Sequence, residues 1–153
     1  EDQLIMDERA GYPIPLDIAD FFEHGSVPEV DEERSIQGHL HLLLITAKEE
    51  YAFDPEYGCE LWEHDFSTEQ PTVIWVDRMA DSIKQVVMRY EPRLAEVDVK
   101  ADIDQVEFKM REGDSVSGRL KRRIKVVLRA RLTSTNELFR FEDVMLVAPF
   151  SLD

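Results

Sequence analysis

The residue types best suited to chemistry in this chain are one cysteine, four histidines and thirty-three carboxylates. Cys59 stands alone in an apolar context, so it cannot close an intramolecular disulfide. Only His64 is near enough in sequence to activate it as a nucleophile, and a small core residue is the better reading. His39-x-His41 with His24 or His64 has the residue type of a metal site but not the spacing. On a helix, positions two apart point to different sides, and no cysteine pair or His-Glu-x-x-His motif supports the site. Glycoside hydrolysis needs two carboxyls roughly 5–10 Å apart, one with a raised pKa. With so many carboxylates some pair meets that distance by chance, and nothing in the sequence marks one as desolvated. Glycine-rich phosphate loops and Gly-x-Ser-x-Gly elbows are absent. No catalytic residue, metal or cofactor is therefore expected.

Charge favours a protein partner over a polyanion. Residues 1–118 carry 29 acidic and 10 basic side chains, whereas residues 119–153 carry 4 and 8. A net charge of −15 repels nucleic acid and anionic membrane from most of the surface, and self-repulsion favours a monomer in isolation. The basic run Lys121-Arg122-Arg123 lacks interleaved aromatics, so nucleic-acid binding is a weak case. No apolar run approaches the roughly 20 residues of a membrane helix, and Glu1-Asp2-Gln3 does not open a signal peptide. A cytoplasmic location is expected.

The remaining constellation is Glu91-Pro92-Arg93 within Tyr90-Glu91-Pro92-Arg93-Leu94. Locally, proline ends a helix and the guanidinium sits favourably at its negative end. Functionally, Pro92 holds a carboxylate and a guanidinium in a fixed relation, and Arg93 can engage a partner carboxylate bidentately.

The elements that position this run follow from periodicity. Residues 1–32 read as an acidic arm broken by Pro13, Pro15 and Pro28, with a short helix over Leu16–Phe22. Ile36, Leu40, Leu43 and Leu44 predict a helix from Glu33 to about Thr46. Residues 47–58 form a turn-rich crossing, and Leu61, Trp62 and Phe66 suggest a brief helix. Ser67 and Thr68 are candidate N-caps, Ser67 making a capping box with Gln70 ahead of Pro71. Val76, Met79, Ile83, Val86, Val87 and Tyr90 form the stripe of a long amphipathic helix. Pro92 stops it, since it lacks an amide hydrogen and pushes Glu91 out of the α region.

Beyond Leu94 the period falls to two. Val97, Val99, Ala101 and Ile103 alternate with charged residues, and the apolar phase flips to Val106, Phe108 and Met110, predicting a bulge at 104–105. A turn at Glu112–Ser115, a strand through Ile124 to Leu132, a turn at Thr133–Glu137 and a strand from Leu138 to Val147 complete the chain. The predicted fold is α+β: N-terminal helices, one of them long and amphipathic, packed on an antiparallel three-stranded meander. Pairing the first two strands so that residue numbers sum to 227 sets Asp98 against Arg129, Asp102 against Lys125 and Asp104 against Arg123. Val99 then meets Leu128, and Ala101 meets Val126. Such pairs contribute roughly 0.2–1 kcal/mol each and account for the basic strip.

A helix ending in Tyr90-Glu91-Pro92-Arg93-Leu94 and running at once into an alternating strand resembles the phage contractile-tail baseplate wedge family, long labelled "tail lysozyme". That family includes the corresponding baseplate subunit of type VI secretion systems. Upstream, Ile36…His39-Leu40…Leu43-Leu44…Thr46 and Pro55-x-Tyr57-Gly58 with Leu61 are similar too. The likeness spans about residues 33–147, giving a wedge domain over 33–153 and leaving the 1–32 arm uncovered. The family's helix is usually followed by a turn with Gly before Glu, where this chain reads Ala47-Lys48-Glu49-Glu50. The resemblance implies a non-catalytic cytoplasmic subunit that seeds sheath polymerisation, with sheath subunits and other baseplate proteins as partners. It implies Glu91, Pro92 and Arg93 as the contact residues and a sheet edge open to strand addition. Tyr90 and Leu94 are expected to face the core, Glu91 and Arg93 to be free, and Arg93→Ala to fold normally. A peptidoglycan-cleaving hydrolase is the alternative function. The family also holds an anti-adaptor that binds a response regulator, so a regulatory binding module of this fold stays open.

Overall fold

Helix α1 spans Ile18–His24, α2 Glu32–Ile45 and α3 Val73–Tyr90, with a single 3-10 turn at Glu60–Glu63. Strands β1 (Leu94–Glu112), β2 (Ser115–Leu132) and β3 (Leu138–Val147) follow and make one antiparallel sheet in the order β1-β2-β3. The chain is seen in a computed structural model that describes residues 18–26, 29–63, 73–112 and 115–147. The predicted α+β meander is the fold found.

Helix α2 starts where Asp31, in extended conformation, accepts the Arg34 amide at 2.8 Å. That cap satisfies one of the amides a helix start leaves unbonded, and Glu32 and Glu33 in the first turn complement the dipole. Ile36, Leu40, Leu43 and Leu44 form its buried stripe. On α3, Met79, Ile83, Val86 and Val87 are buried, as the predicted stripe requires. The two stripes join the inner face of the sheet, where Val97, Ile124, Val126, Leu128, Ala130, Leu132, Phe139, Phe141 and Met145 are buried. Each of these side chains larger than alanine contributes roughly 1.5–3 kcal/mol. The predicted short helix is seen over its described residues as α1, which runs on to His24, with Ile18 and Phe22 exposed. The candidate caps Ser67 and Thr68, with Gln70 and Pro71, lie outside the described residues, as do Leu16, His64 and Phe66.

The register of β1 on β2 is the predicted one from Asp98↔Arg129 to Glu112↔Ser115. The predicted bulge at 104–105 is not there. Pairing runs through Asp104↔Arg123 and Gln105↔Arg122 unbroken, and the irregularity falls between Ala95 and Asp98, where Glu96 has φ 52. The physical reason is burial: Leu94 and Val97 are both in the core, and residues three apart share a face of a strand only across an extra residue.

Of the three predicted cross-strand ion pairs only Asp104–Arg123 closes, with Arg123 Nε donating to Asp104 Oδ1 at 2.8 Å. Lys125 reaches instead to Glu142 on β3, at 3.6 Å, and Arg131 to Glu96, at 3.0 Å. Asp98 and Arg129 face each other across the register without forming an ion pair. Solvent screens these exposed pairs and they add little, so the strip is matched in charge rather than held together by it.

The crossing at 47–58 contains a left-handed residue without glycine: Glu49 has φ 65, and its amide donates to the Pro55 carbonyl at 2.8 Å. A side chain in this region costs roughly 1–2 kcal/mol, and glycine's larger unfolded-state entropy returns about half of that. Glu49→Gly is expected to stabilise the domain by about 0.5 kcal/mol, read as a higher denaturation midpoint. A lower midpoint would mean that the Glu49 side chain holds the turn in some other way.

Candidate functional site at the helix-strand corner

The corner forms because the helix runs out of donors. The Glu91 amide still donates to Val87 at 2.8 Å, the last α-type bond, and the Leu94 amide turns back to the Glu91 carbonyl at 3.2 Å. Pro92 between them has no amide hydrogen to contribute. The Arg93 carbonyl then accepts from the Thr133 amide at 2.9 Å and from Thr133 Oγ1 at 3.2 Å. The corner is thereby tied to the β2–β3 turn, forty residues away in sequence.

Glu91 is 1% exposed and is the one charged side chain buried among the described residues. Its carboxylate is fully used. Arg93 donates from Nε to Oε1 at 2.7 Å and from Nη2 to Oε2 at 2.7 Å, while His39 Nδ1 lies 2.8 Å from Oε2. The Arg93 amide adds a longer bond to Oε1, at 3.3 Å. Burial raises the Glu91 pKa, but the hydrogen bonds and charge of Arg93 and His39 outweigh it and bring the carboxyl to about 2. Arg93 Nη1 donates to Ser35 Oγ at 3.1 Å. The Arg93 side chain remains 35% exposed.

This corrects the expectation that Glu91 and Arg93 are both free. Glu91 points inward and holds Arg93, and only Arg93 reaches solvent. Leu94 is buried as expected, at 6% exposed. Tyr90 is half-buried: its ring packs edge-on to Tyr57 and its hydroxyl donates to Asp54 Oδ2 at 2.9 Å. Pro92 is exposed beside them.

Two participants were missed from the sequence. Ser35 and His39 are four apart on α2 and so share one face, a spacing that was legible although its target was not. His39 and His41 do point to different sides, since His41 Nδ1 lies 2.5 Å from Asp143 Oδ2 on β3. Cys59 is buried, and burial pushes its thiol up to about 12, which suits a core residue and not a nucleophile. Burial, with the charges of Cys59 and Glu91, likewise takes Tyr57 up to about 12.

The arrangement is that of an α+β domain whose buried carboxylate holds an arginine in fixed orientation. The chain belongs to the baseplate wedge protein gp25 family, whose sequence profile matches residues 30–137, the corner included. Over 61 residues it is 38% identical to the baseplate wedge protein gp25 of Enterobacteria phage T4. That alignment covers 40% of this chain and 45% of the phage protein, less than half of the relative's length. In three dimensions the chain is similar to the crystal structure of a Geobacter sulfurreducens protein called a tail lysozyme. The TM-score is 0.57 and the identity 18%, with 82% of this chain and 100% of that one covered. At that identity the likeness is one of fold.

Proposed function

We propose that this chain is a structural baseplate wedge subunit of a contractile injection apparatus, of the phage-tail or type VI secretion kind. In this reading it works in the cytoplasm, seeds sheath assembly through the corner at Glu91, Pro92 and Arg93, and has sheath subunits and other baseplate proteins as partners. The observation that carries the reading is the state of Arg93. Three of its five N–H donors are occupied by Glu91 and Ser35, which leaves two for a carboxylate of a partner. The side chain is already immobilised, so binding avoids an ordering cost of about 0.5–1.5 kcal/mol. In addition, among the described residues β3 pairs only with β2, which supports strand addition at its second edge.

The burial of Glu91 changes how this is tested. Arg93→Ala would strip an anion of its main partner, so a loss of assembly could reflect a loss of folding. Arg93→Lys keeps the charge beside Glu91 and removes the fork. The double substitution Glu91→Leu with Arg93→Met removes both charges at similar volume, a change that is often close to neutral for stability. Both variants are expected to fold and to bind sheath subunits at least roughly tenfold more weakly in co-purification titrations. Unchanged binding by the double variant would remove the corner from the interface.

The hydrolase reading rests on the name of the structural neighbour. A glycosidase acid needs a raised pKa, yet hydrogen bonds to arginine lower Asp104 and Glu142, and Glu91 is lowered to about 2. The purified chain is expected to leave the turbidity of a cell-wall suspension unchanged, and clearing abolished by substitution of one carboxylate would restore the hydrolase.

A further inference from the structure

A second candidate contact lies on the crossing between α2 and the 3-10 turn. An open cavity of about 460 Å³ is lined by Leu42, Thr46, Glu50, Tyr51 and Tyr57. Its aromatic wall continues outward. The Tyr51 and Tyr57 rings meet edge-on at 5.7 Å, and Phe53 lies against Tyr51 at 5.7 Å. Tyr51 is 48% exposed and Phe53 89%, so two large rings at the mouth cover no core. Of the carboxylates in the same crossing, Glu50 lines the cavity, while Asp54 accepts from Tyr90 and Glu56 pairs with Arg89. The one cation of the crossing, Lys48, is paired with Glu60.

The inner end of the same ring series shows what this combination holds. Tyr57 packs on Tyr90, and the Arg89 guanidinium stands 5.3 Å over the Tyr90 ring with Glu56 3.7 Å away. Ring face and carboxylate together take a guanidinium there. At the outer end the rings Tyr51 and Phe53 and the carboxylate of Glu50 repeat the pattern with no cation among the described residues. Glu50 spends one oxygen on the Ala47 amide, at 2.8 Å, which fixes the side chain and leaves the other oxygen for a ligand.

We propose that this cavity is a docking site for an arginine or lysine side chain on a basic segment of a partner protein. The cation stacks on Tyr51 and Phe53 and pairs with Glu50. Charge complementarity selects this occupant: the walls carry rings whose faces are electron-rich, Glu50 adds a carboxylate, and the chain carries −15 overall. A second copy is disfavoured by that same charge, and an uncharged apolar segment would leave the Glu50 carboxylate without a counterpart. The site is distinct from the sheath contact proposed at Arg93 and does not depend on it.

The test is an amide chemical-shift titration of the full chain with the peptide acetyl-Gly-Arg-Gly-Arg-Gly-amide, and with its citrulline analogue as the neutral control. The expected result is saturable shifts at Leu42, Thr46, Glu50, Tyr51 and Tyr57, weakened by salt and at least tenfold weaker with citrulline. Tyr51→Phe should retain binding, while Tyr51→Ala and Glu50→Gln should each lose roughly tenfold. Phe53→Ala, at a ring that supports no core, keeps the fold intact and should also weaken binding. Equal binding of the citrulline peptide overturns the proposal in favour of an apolar groove. Unsaturable shifts spread over surface carboxylates overturn it in favour of nonspecific charge attraction. A concentration-dependent dimer abolished by Phe53→Ala assigns the patch to a second copy and overturns it as well.

Discussion

Replacing Glu91 with alanine is expected to cost about 3–5 kcal/mol of folding stability, a large share of what a domain of this size has. The side chain is 1% exposed and takes both short bonds from the Arg93 fork. Its removal leaves a half-buried guanidinium facing a cavity and deprives His39 of its partner. Urea unfolding followed by circular dichroism measures the loss. Glu91→Gln should lose less, because it keeps shape and part of the hydrogen bonding. A cost under about 1 kcal/mol for alanine would mean that the ion pair adds nothing beyond its own desolvation.

The same group predicts an acid response. The folded carboxyl titrates at about 2 against an ordinary 4.5, so the unfolded chain binds its proton first as pH falls. The contribution of Glu91 is therefore fully present above about pH 4.5 and disappears as pH drops towards 2. It amounts to about 3 kcal/mol. Many other carboxylates titrate over this range, so the informative quantity is a difference. The stability gap between the native chain and Glu91→Gln should shrink steadily as pH falls below about 4.5. A gap that does not change with pH would refute the role of Glu91 as a paired anion.

Gly58→Ala is expected to be comparably severe, at about 3 kcal/mol or more. Gly58 has φ +114, and a Cβ there would stand 2.5 Å from the Thr46 carbonyl oxygen and 2.9 Å from that of Ala47. Both atoms are backbone and cannot swing aside. They are held where they are because the Cys59 amide donates to the Thr46 carbonyl at 2.8 Å and Ala47 bridges to Cys59 in parallel. The substitution combines a strained backbone with a steric clash, each costing about 1–3 kcal/mol. A reduced thermal midpoint, or insoluble expression, is the expected readout. A midpoint within a degree of the native one would show that the crossing at 47–58 can move away from α2.

The two substitutions probe parts of the chain that differed in legibility. The crossing at 47–58 was legible as turn-rich, but the contact that makes Gly58 irreplaceable, against Thr46 and Ala47, depends on how the crossing folds back on the end of α2. Likewise the helix stop at Tyr90 was legible because proline's missing amide acts locally. The bulge was misplaced because the apolar pattern does not reveal which phase the core accepts. Burial of both Leu94 and Val97 decided that.

What the sequence determined by itself is whatever short-range chemistry dictates. It set the stripe of α3, the end of that helix at Pro92, the β3 span from Leu138 to Val147 and the register that brings Asp104 to Arg123. The run from Tyr90 to Leu94 was enough to suggest the family. Tertiary structure alone decided the roles within that run. Burying a carboxylate is unfavourable unless compensating partners surround it, and two side chains of this network come from α2, more than fifty residues away: His39 at the Glu91 carboxylate and Ser35, which accepts from Arg93. Their arrival makes Glu91 an interior anchor and leaves Arg93 as the side chain that faces outward.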